Sequence, residues 1–405
     1  MTAPASPPGV LFVSYDGVLG GPGRSQAVPY LLGYRAAGWS VHLLSYEKPL
    51  LLAEEGTRRA VEDELRAAGV RWTVLPYRRA MARDLAAGLR AVRRIVREEN
   101  PAVLHARSYV PALLCDLAGR GRGARLLFDM RGFWPDERVD GGLWSAGHPL
   151  HLLWKRIERR LLRRAEGVVV LSNAGARILR DEGLLPAATP LEVIPCGTDL
   201  ERFRPLPASE APPDLRPFLG RRVFTFLGAT GTWYLLDAML DFAAAAVAAD
   251  PDARLLFLTE DPGGAVEAGL AARYVPPDRR IVRRVPHADV PRWIAPSAAG
   301  VFFIRSCRSK RASCPTKLAE FLACGVPVVI NEGVGDTAEV VRGAGVGVVL
   351  DRLDAPGFES ALAGLQGLRA DPALPGRCRA EAACRFDVRL GSRAFADLAG
   401  RLART

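Results

Sequence analysis

Short apolar runs alternate with amphipathic stretches along almost the whole chain. Val10–Ser14 reads as a strand, and Ser25–Ala37 as a helix that stops at Gly38. Strands follow at Val41–Ser45, Arg71–Leu75, Ala102–His105, Arg125–Asp129, Gly167–Leu171 and Leu191–Ile194. Helices fall between them near 56–68, 83–98, 151–165 and 173–182. Alternating β and α predicts a parallel sheet covered by helices. Residues 200–220 change character: Arg202-Phe-Arg-Pro-Leu-Pro and Ala211-Pro-Pro-Asp-Leu-Arg-Pro read as a linker.

A second βα series then begins. It has strands at Arg222–Leu227, Arg254–Leu258, Arg280–Val285, Gly300–Ile304, Val326–Ile330 and Gly345–Leu350, and helices at 233–248, 289–294 and 315–323. Final helices occupy about 377–403. The expected fold class is α/β, with two Rossmann-like parallel-sheet domains. Their bounds are 1–200 and 201–384.

Composition agrees with two cores: 405 residues at 49% apolar exceed what one ordinary core organises. The net charge of +11 admits nucleic acid, an anionic membrane or a phosphorylated substrate as partner. No zinc-ligand spacing, RNP-like motif or long basic tail supports nucleic acid. Seven scattered cysteines, an odd number without C-x-x-C, point to buried free thiols in a reducing compartment. The first residues lack an apolar signal core, and no uncharged apolar run approaches ~18 residues. A cytoplasmic protein is expected, peripheral at most on the inner face of a membrane.

The densest chemistry lies in 313–328, Ser-Cys-Pro-Thr-Lys-Leu-Ala-Glu-Phe-Leu-Ala-Cys-Gly-Val-Pro-Val. Pro315 fits a first helical turn, and Thr316 and Lys317 stand at a helix start whose N–H groups attract anions. Glu320 shares the face of Lys317 and can accept from sugar hydroxyls. The alternative is an ordinary helix start with a solvated i,i+3 ion pair. Two glycine loops follow first strands. Gly20-Gly-Pro-Gly-Arg-Ser, with Gly20, Gly21, Gly23 and Arg24, is a cleft loop contacting ligand or a tight βα turn. It is not a P-loop, since Val18 and Arg24 stand where glycine and lysine are required. Gly228-Ala-Thr-Gly-Thr-Trp offers Gly228, Thr230, Gly231 and Thr232 to a pyrophosphate. Arg305 emerges at a strand's carboxyl end, as a phosphate ligand or a solvated loop residue.

Asp129-Met-Arg-Gly-Phe-Trp-Pro-Asp-Glu-Arg places Arg131, Asp136 and Glu137 after another strand. Arg131 cannot act as a base but can hold a phosphate or sugar oxygen; Asp136 and Glu137 are the nearest carboxylates for deprotonating an acceptor. A structural turn is the alternative. His105 ends a strand, as a cleft residue or a hydrogen-bonded structural one. No histidine spacing suits a metal, so none is expected, nor any cofactor. Helix 151–165 carries Lys155, Arg156, Arg159, Arg160, Arg163 and Arg164, with Leu153, Trp154, Ile157, Leu161 and Leu162 on its other side. Arg78, Arg79, Arg83, Arg90, Arg93, Arg94 and Arg97 form a second basic stretch. Both are solvated faces or a patch for anionic lipid.

Four segments carry a family resemblance. Ser313 to Val329 resembles the donor-site segment of family 4 glycosyltransferases, in the variant S-x-P-T-K-x-x-E-F-L-A-C-G-x-P-V. Val10-Leu-Phe-Val-Ser-Tyr-Asp-Gly with Gly23-Arg-Ser-Gln-Ala-Val-Pro-Tyr resembles the amino-terminal loop of bacterial members. Phe128-Asp-Met-Arg-Gly-Phe-Trp-Pro and Val193-Ile-Pro-Cys-Gly-Thr-Asp are the third and fourth, and all lie in family order. The resemblance implies a GT-B fold, with the two domains facing an interdomain cleft and a last helix, about 385–405, packing back on the first domain. It implies an acceptor domain at 1–200, a donor domain at 201–384, and a retaining transferase. Such an enzyme moves a sugar from a nucleoside-diphosphate sugar to a glycan or lipid-linked acceptor, without metal, in cell-surface polysaccharide or glycolipid synthesis. Lys317 would stabilise the diphosphate and Glu320 hold the ribose. The chain departs from the family at Ala312, where many relatives carry the first glutamate of E-x7-E, and at Arg131, where many carry histidine. A sugar-nucleotide epimerase of the same fold, or a non-catalytic partner of another transferase, stays open.

Overall fold

The structure is a computed structural model that describes residues 7–78, 80–119, 123–260 and 264–404, with backbone only at Pro22. Arg79 and the first six residues lie outside the described residues. The chain divides into two compact units, Met1–Gly197 with Val388–Thr405, and Thr198–Asp387.

The first unit runs β1 (Gly9–Ser14), α1 (Gly21–Ala36), β2 (Ser40–Glu47), α2 (Pro49–Ala53), α3 (Glu55–Ala67), β3 (Val70–Pro76), α4 (Met81–Glu99) and β4 (Val103–Arg107). It continues with α5 (Tyr109–Ala118), β5 (Arg125–Asp129), α6 (Trp134–Asp140), α7 (Pro149–Arg164), β6 (Gly167–Val170), α8 (Asn173–Asp181) and β7 (Leu191–Val193). Among the described residues its sheet has seven strands in the order β3-β2-β1-β4-β5-β6-β7, every neighbour parallel.

The second unit runs β8 (Arg222–Leu227), α9 (Leu236–Ala249), β9 (Ala253–Leu258), α10 (Ala265–Ala272), β10 (Arg280–Arg283), α11 (Val290–Ile294) and β11 (Ala299–Phe302). After these come α12 (Thr316–Ala323), β12 (Val328–Asn331), α13 (Thr337–Ala344), β13 (Gly347–Leu350), α14 (Ala355–Arg369) and α15 (Leu374–Arg385). Its six described strands are parallel, in the order β10-β9-β8-β11-β12-β13. Alternate side chains explain the two layers of helices. Leu256, Leu258, Phe302, Val328 and Ile330 point to the face covered by α12 and α15. Phe224, Phe226, Leu255, Phe257, Val301 and Val329 point to the face covered by α9 and α14. A parallel sheet buried on both faces therefore reads as continuous apolar runs.

In both sheets the strand order reverses beside the unit's first strand, between β1 and β4 and between β8 and β11. The loops leaving the carboxyl ends at such a reversal diverge and leave a crevice, where open α/β sheets take their ligands.

Several elements differ from the pattern reading. Helix α5 is absent from it because Tyr109 to Asp116 are buried all round, which erases the amphipathic period. Helix α14 carries Pro356, Gly357, Gly364 and Gly367, which dilute a helical signal. The helix expected from 233 begins at Leu236. Residues 233–235 are pinned instead to the chain after β11: Leu235 N donates to Phe303 O at 3.0 Å and Arg305 N to Trp233 O at 2.8 Å. The last helices part company. Helix α15 stays in the second unit, where the Arg379 guanidinium donates to Ala323 O at 2.8 Å and Leu200 O at 2.7 Å. Helix α16 (Val388–Arg404) belongs to the first, with Ser392 Oγ donating to Pro29 O at 3.1 Å.

Candidate functional site

In the second unit, the reversal between β8 and β11 gathers the loop Gly228–Leu235, the chain after β11 and the start of α12. Gly228 turns the chain at φ +105°, its N–H donating to Leu258 O at 2.8 Å. Lys317 rises from the first turn of α12 and is only 6% exposed. Its Nζ donates to Leu227 O, its one hydrogen-bond partner among the described residues, and lies 3.7 Å from the Tyr234 ring centroid. A Cβ at Gly228 would come within 2.9 Å of that Nζ, so the turn's φ favours glycine and any side chain there would press on the end of the lysine. Burial lowers the Lys317 pKa to about 7, with the Glu320 carboxylate opposing the shift. An ammonium so desolvated, with one carbonyl and an aromatic face for company, is a strong receptor for an incoming anion.

Glu320, 7% exposed, accepts from His287 Nε2 at 2.8 Å through Oε1. The solvated i,i+3 pair is thereby overturned: both side chains are buried and each turns to a partner on another element. Pro315 is the residue before α12 rather than part of its first turn; φ −67° with ψ 120° leaves Thr316 to open the helix. Thr230 is half-buried, while Gly231 and Thr232 are exposed, Thr232 at φ +56°. Arg305 is exposed at the carboxyl end of the β11 region, its backbone held by Trp233. Lys310, which the sequence reading passed over, is buried with Nζ 4.0 Å from the Trp233 ring centroid. The basic run Arg308 to Arg311 was its only signal. Ala312 ends a short 3-10 turn and its methyl is buried.

The first unit has its own polar cluster at the reversal between β1 and β4. The loop after β1 wraps a carboxylate that the sequence reading missed. Glu47, fully buried, accepts from Val18 N at 2.8 Å, Leu19 N at 3.2 Å and Ser45 Oγ at 2.6 Å. Part of the loop's N–H array is thus spent inside the protein. Gly20 and Gly21 lead into α1, and a Cβ at Gly23 would lie 1.8 Å from Gly17 O, so the turn closes only around glycine. Arg24 turns to Glu64 on α3.

His105 corrects an expectation. It is the middle residue of β4, fully buried between the rings of Phe12 and Phe395 at 4.2 and 4.7 Å, with Tyr34 Oη 3.0 Å from Nδ1. Burial lowers its pKa, and it lies within the strand rather than on a loop. The strand runs two residues further than the pattern implied, to Arg107. Arg107 Nη1 stands 3.6 Å and Arg131 Nη1 3.7 Å from the buried carboxylate of Asp129, whose pKa these cations hold down against burial. Arg131 adopts φ +59°, uncommon outside glycine, and donates from Nη2 to Cys196 Sγ at 3.2 Å. Asp136 is drawn away by Lys155 Nζ at 2.9 Å and His151 Nε2 at 3.4 Å. Glu137 is half-buried, with Oε1 3.8 Å from where a Cβ on Gly132 would stand.

Among the described residues, no three His, Cys, Asp or Glu side chains are grouped to hold a metal ion, and all seven cysteines are free. No helix there is long and apolar enough to cross a membrane. Residues 24–197 match the model of the glycosyl transferase 4-like domain, and residues 221–366 match glycosyl transferases group 1. Both units carry glycosyltransferase domains. The fold of this two-domain glycosyltransferase is shared by sucrose-phosphate synthase from Thermosynechococcus elongatus, at TM-score 0.73 and 18% identity, covering 98% of this chain and 99% of that one. A glycosyltransferase from Rickettsia africae gives 0.71 and 12%, over 98% and 99%. Anabaena HepE, solved in complex with UDP and glucose, gives 0.71 and 15%, over 97% and 99%. These likenesses establish the GT-B fold. No curated protein matches the chain by sequence.

Proposed function

We propose that the protein is a retaining glycosyltransferase that moves a sugar from a nucleoside-diphosphate sugar to a glycan or lipid-linked acceptor. The observation that carries this reading is Lys317, a buried ammonium at the strand reversal of the second unit, beside a φ-constrained glycine loop. A diphosphate leaving group accumulates charge as the glycosidic bond breaks. A preorganised cation in a water-poor site stabilises that charge without reorganising. Lys317 would take this role with Pro315, Thr316, Gly228, Thr230, Gly231 and Thr232 around the phosphates and Arg305 at the rim. Glu320 would accept from the ribose hydroxyls. Gly20, Gly21, Gly23 and Arg24 would shape the acceptor side in the first unit, where Arg131 would hold an acceptor oxygen. Glu137 and Asp136, the latter with its oxygens facing Lys155 and His151, are the carboxylates that would deprotonate the acceptor. UDP-sugars are the first donors to test, since HepE was solved with UDP and glucose. Retention follows from the family resemblance.

The helix surfaces support a peripheral membrane partner. Leu150, Leu152 and Leu153 at the start of α7 are 46%, 52% and 49% exposed, and Arg156, Arg159 and Arg163 follow them on the surface. Leu153 therefore belongs to the exposed tip, not to the buried side with Trp154, Leu161 and Leu162. Arg83, Arg90, Arg93, Arg94 and Arg97 of α4 are exposed too. Exposed leucines beside arginines fit an anionic lipid surface carrying a lipid-linked acceptor.

Incubation of the purified protein with a UDP-sugar and lipid-linked or oligosaccharide acceptors tests the activity. The expected product is a new glycoside whose anomeric configuration, read by proton NMR, matches the donor's. An inverted product would refute retention. Conversion of donor to an isomeric sugar with no acceptor present would favour an epimerase.

A further inference from the structure

We infer that His287, held in a single tautomer by Arg202, positions Glu320 to select a ribose-bearing nucleotide. This rests on the proposed role of Glu320 and adds two residues to it. His287 lies in the segment between β10 and α11, which the motif reading did not single out. Its two ring nitrogens have different partners. Arg202 Nη2 reaches Nδ1 at 3.4 Å, and Nε2 meets Glu320 Oε1 at 2.8 Å. A guanidinium only donates, so Nδ1 must accept; the proton then resides on Nε2, which donates to the carboxylate. Two further contacts steady the relay. The Arg202 guanidinium lies 5.7 Å from the Phe203 ring centroid, and the His287 ring packs on the same phenylalanine at 5.5 Å. Phe203 itself is 2% exposed and fixed in the core under α15.

The consequence concerns the carboxylate. A glutamate side chain without a partner samples several rotamers, and ordering it on ligand binding lowers affinity. His287 occupies Oε1 and fixes the plane of the group. The second oxygen is left to accept from a vicinal diol, the feature that separates a ribonucleotide from a deoxynucleotide. His287 touches no reacting atom in this scheme. It is a positioning residue, and its effect should appear only with ligands that use the diol.

Calorimetric binding of UDP and of 2′,3′-dideoxy-UDP to the full-length protein and its variants tests this. Wild type should prefer UDP by at least tenfold. His287→Ala should lose about tenfold for UDP and under twofold for the dideoxy nucleotide, collapsing the preference. His287→Gln, whose amide can donate to Glu320, should keep it within about twofold, and Arg202→Met should lose part of it. Equal weakening of both nucleotides by His287→Ala would make the histidine merely structural and overturn the inference. An unaltered preference in His287→Ala would overturn it too. If wild type itself shows no preference, the ribose role of Glu320 falls, a failure of the underlying reading that the variants do not share. Should His287→Ala not fold, Arg202→Met and His287→Gln carry the same comparison.

Discussion

Lys317 is the buried cation of the candidate donor site. Its pKa near 7 belongs to the free protein, where burial disfavours the charged form. A diphosphate binds the protonated amine, so UDP affinity should fall by up to tenfold per pH unit above about 7, while the phosphates stay ionised. Calorimetry in buffers of different ionisation enthalpy should show proton uptake on binding near pH 8. The sign for folding is opposite. The unfolded chain keeps this proton up to the ordinary lysine value of 10.5, so stability gains with pH between about 7 and 10.5, and Lys317→Met should flatten that part of the profile. In turnover, Lys317→Ala should lower kcat by roughly 10²–10³. Glu320→Ala should chiefly raise the donor KM, because ribose contacts are equal in ground and transition states. Near-normal kinetics in both folded variants would move the donor site elsewhere. Lys317 and Glu320 were legible because they are the only charges in the helix Thr-Lys-Leu-Ala-Glu-Phe-Leu-Ala. Their partners were not: the Leu227 carbonyl and Tyr234 come from the end of β8 and its loop, His287 from the segment before α11, and no local pattern joins them to α12.

Elements show the same division. Strands buried on both faces and amphipathic helices such as α4 and α7 could be read from periodicity. Helix α5 could not, because uniform burial leaves no polar face to count. The loop after β8 was recognised as a glycine turn, but its length was misjudged by three residues: Trp233, Tyr234 and Leu235 are held by the chain after β11. That tie puts Tyr234 under the Lys317 ammonium. Gly228 is the element's weak point. Alanine there would have to hold φ +105°, at a cost of about 1–3 kcal/mol, and would press on Nζ. Gly228→Ala should lower the urea midpoint modestly and weaken UDP binding more than tenfold. An unchanged affinity would show that the loop does not shape the anion site.

For the whole molecule, two parallel-sheet domains were foreseeable from the βα rhythm and the proline-rich break, but the reversal of strand order within each sheet was not. The distribution of the net charge of +11 was less so. Arg160 and Arg164 of α7 are tied to the buried Asp116, so the helix offers lipid fewer free cations than its sequence implies. The exposed leucines at its start restore an apolar contribution. Flotation with vesicles containing phosphatidylglycerol should show binding that falls steeply as salt rises, since screening acts over about 8 Å at physiological ionic strength. Leu152→Ser with Leu153→Ser should reduce it further. Equal flotation with neutral vesicles, or none with either, would return both helices to the status of solvated faces.

In the proposed enzyme the strand reversal of the second unit receives a nucleoside diphosphate through a buried lysine. Titration calorimetry with UDP, GDP, CDP and ADP in the presence of EDTA, on wild type and Lys317→Ala side by side, addresses it most directly. One nucleotide should bind wild type without metal, and the folded variant should lose at least tenfold in affinity for it. Binding of no nucleotide, binding abolished by EDTA, or equal affinity in the variant would contradict it.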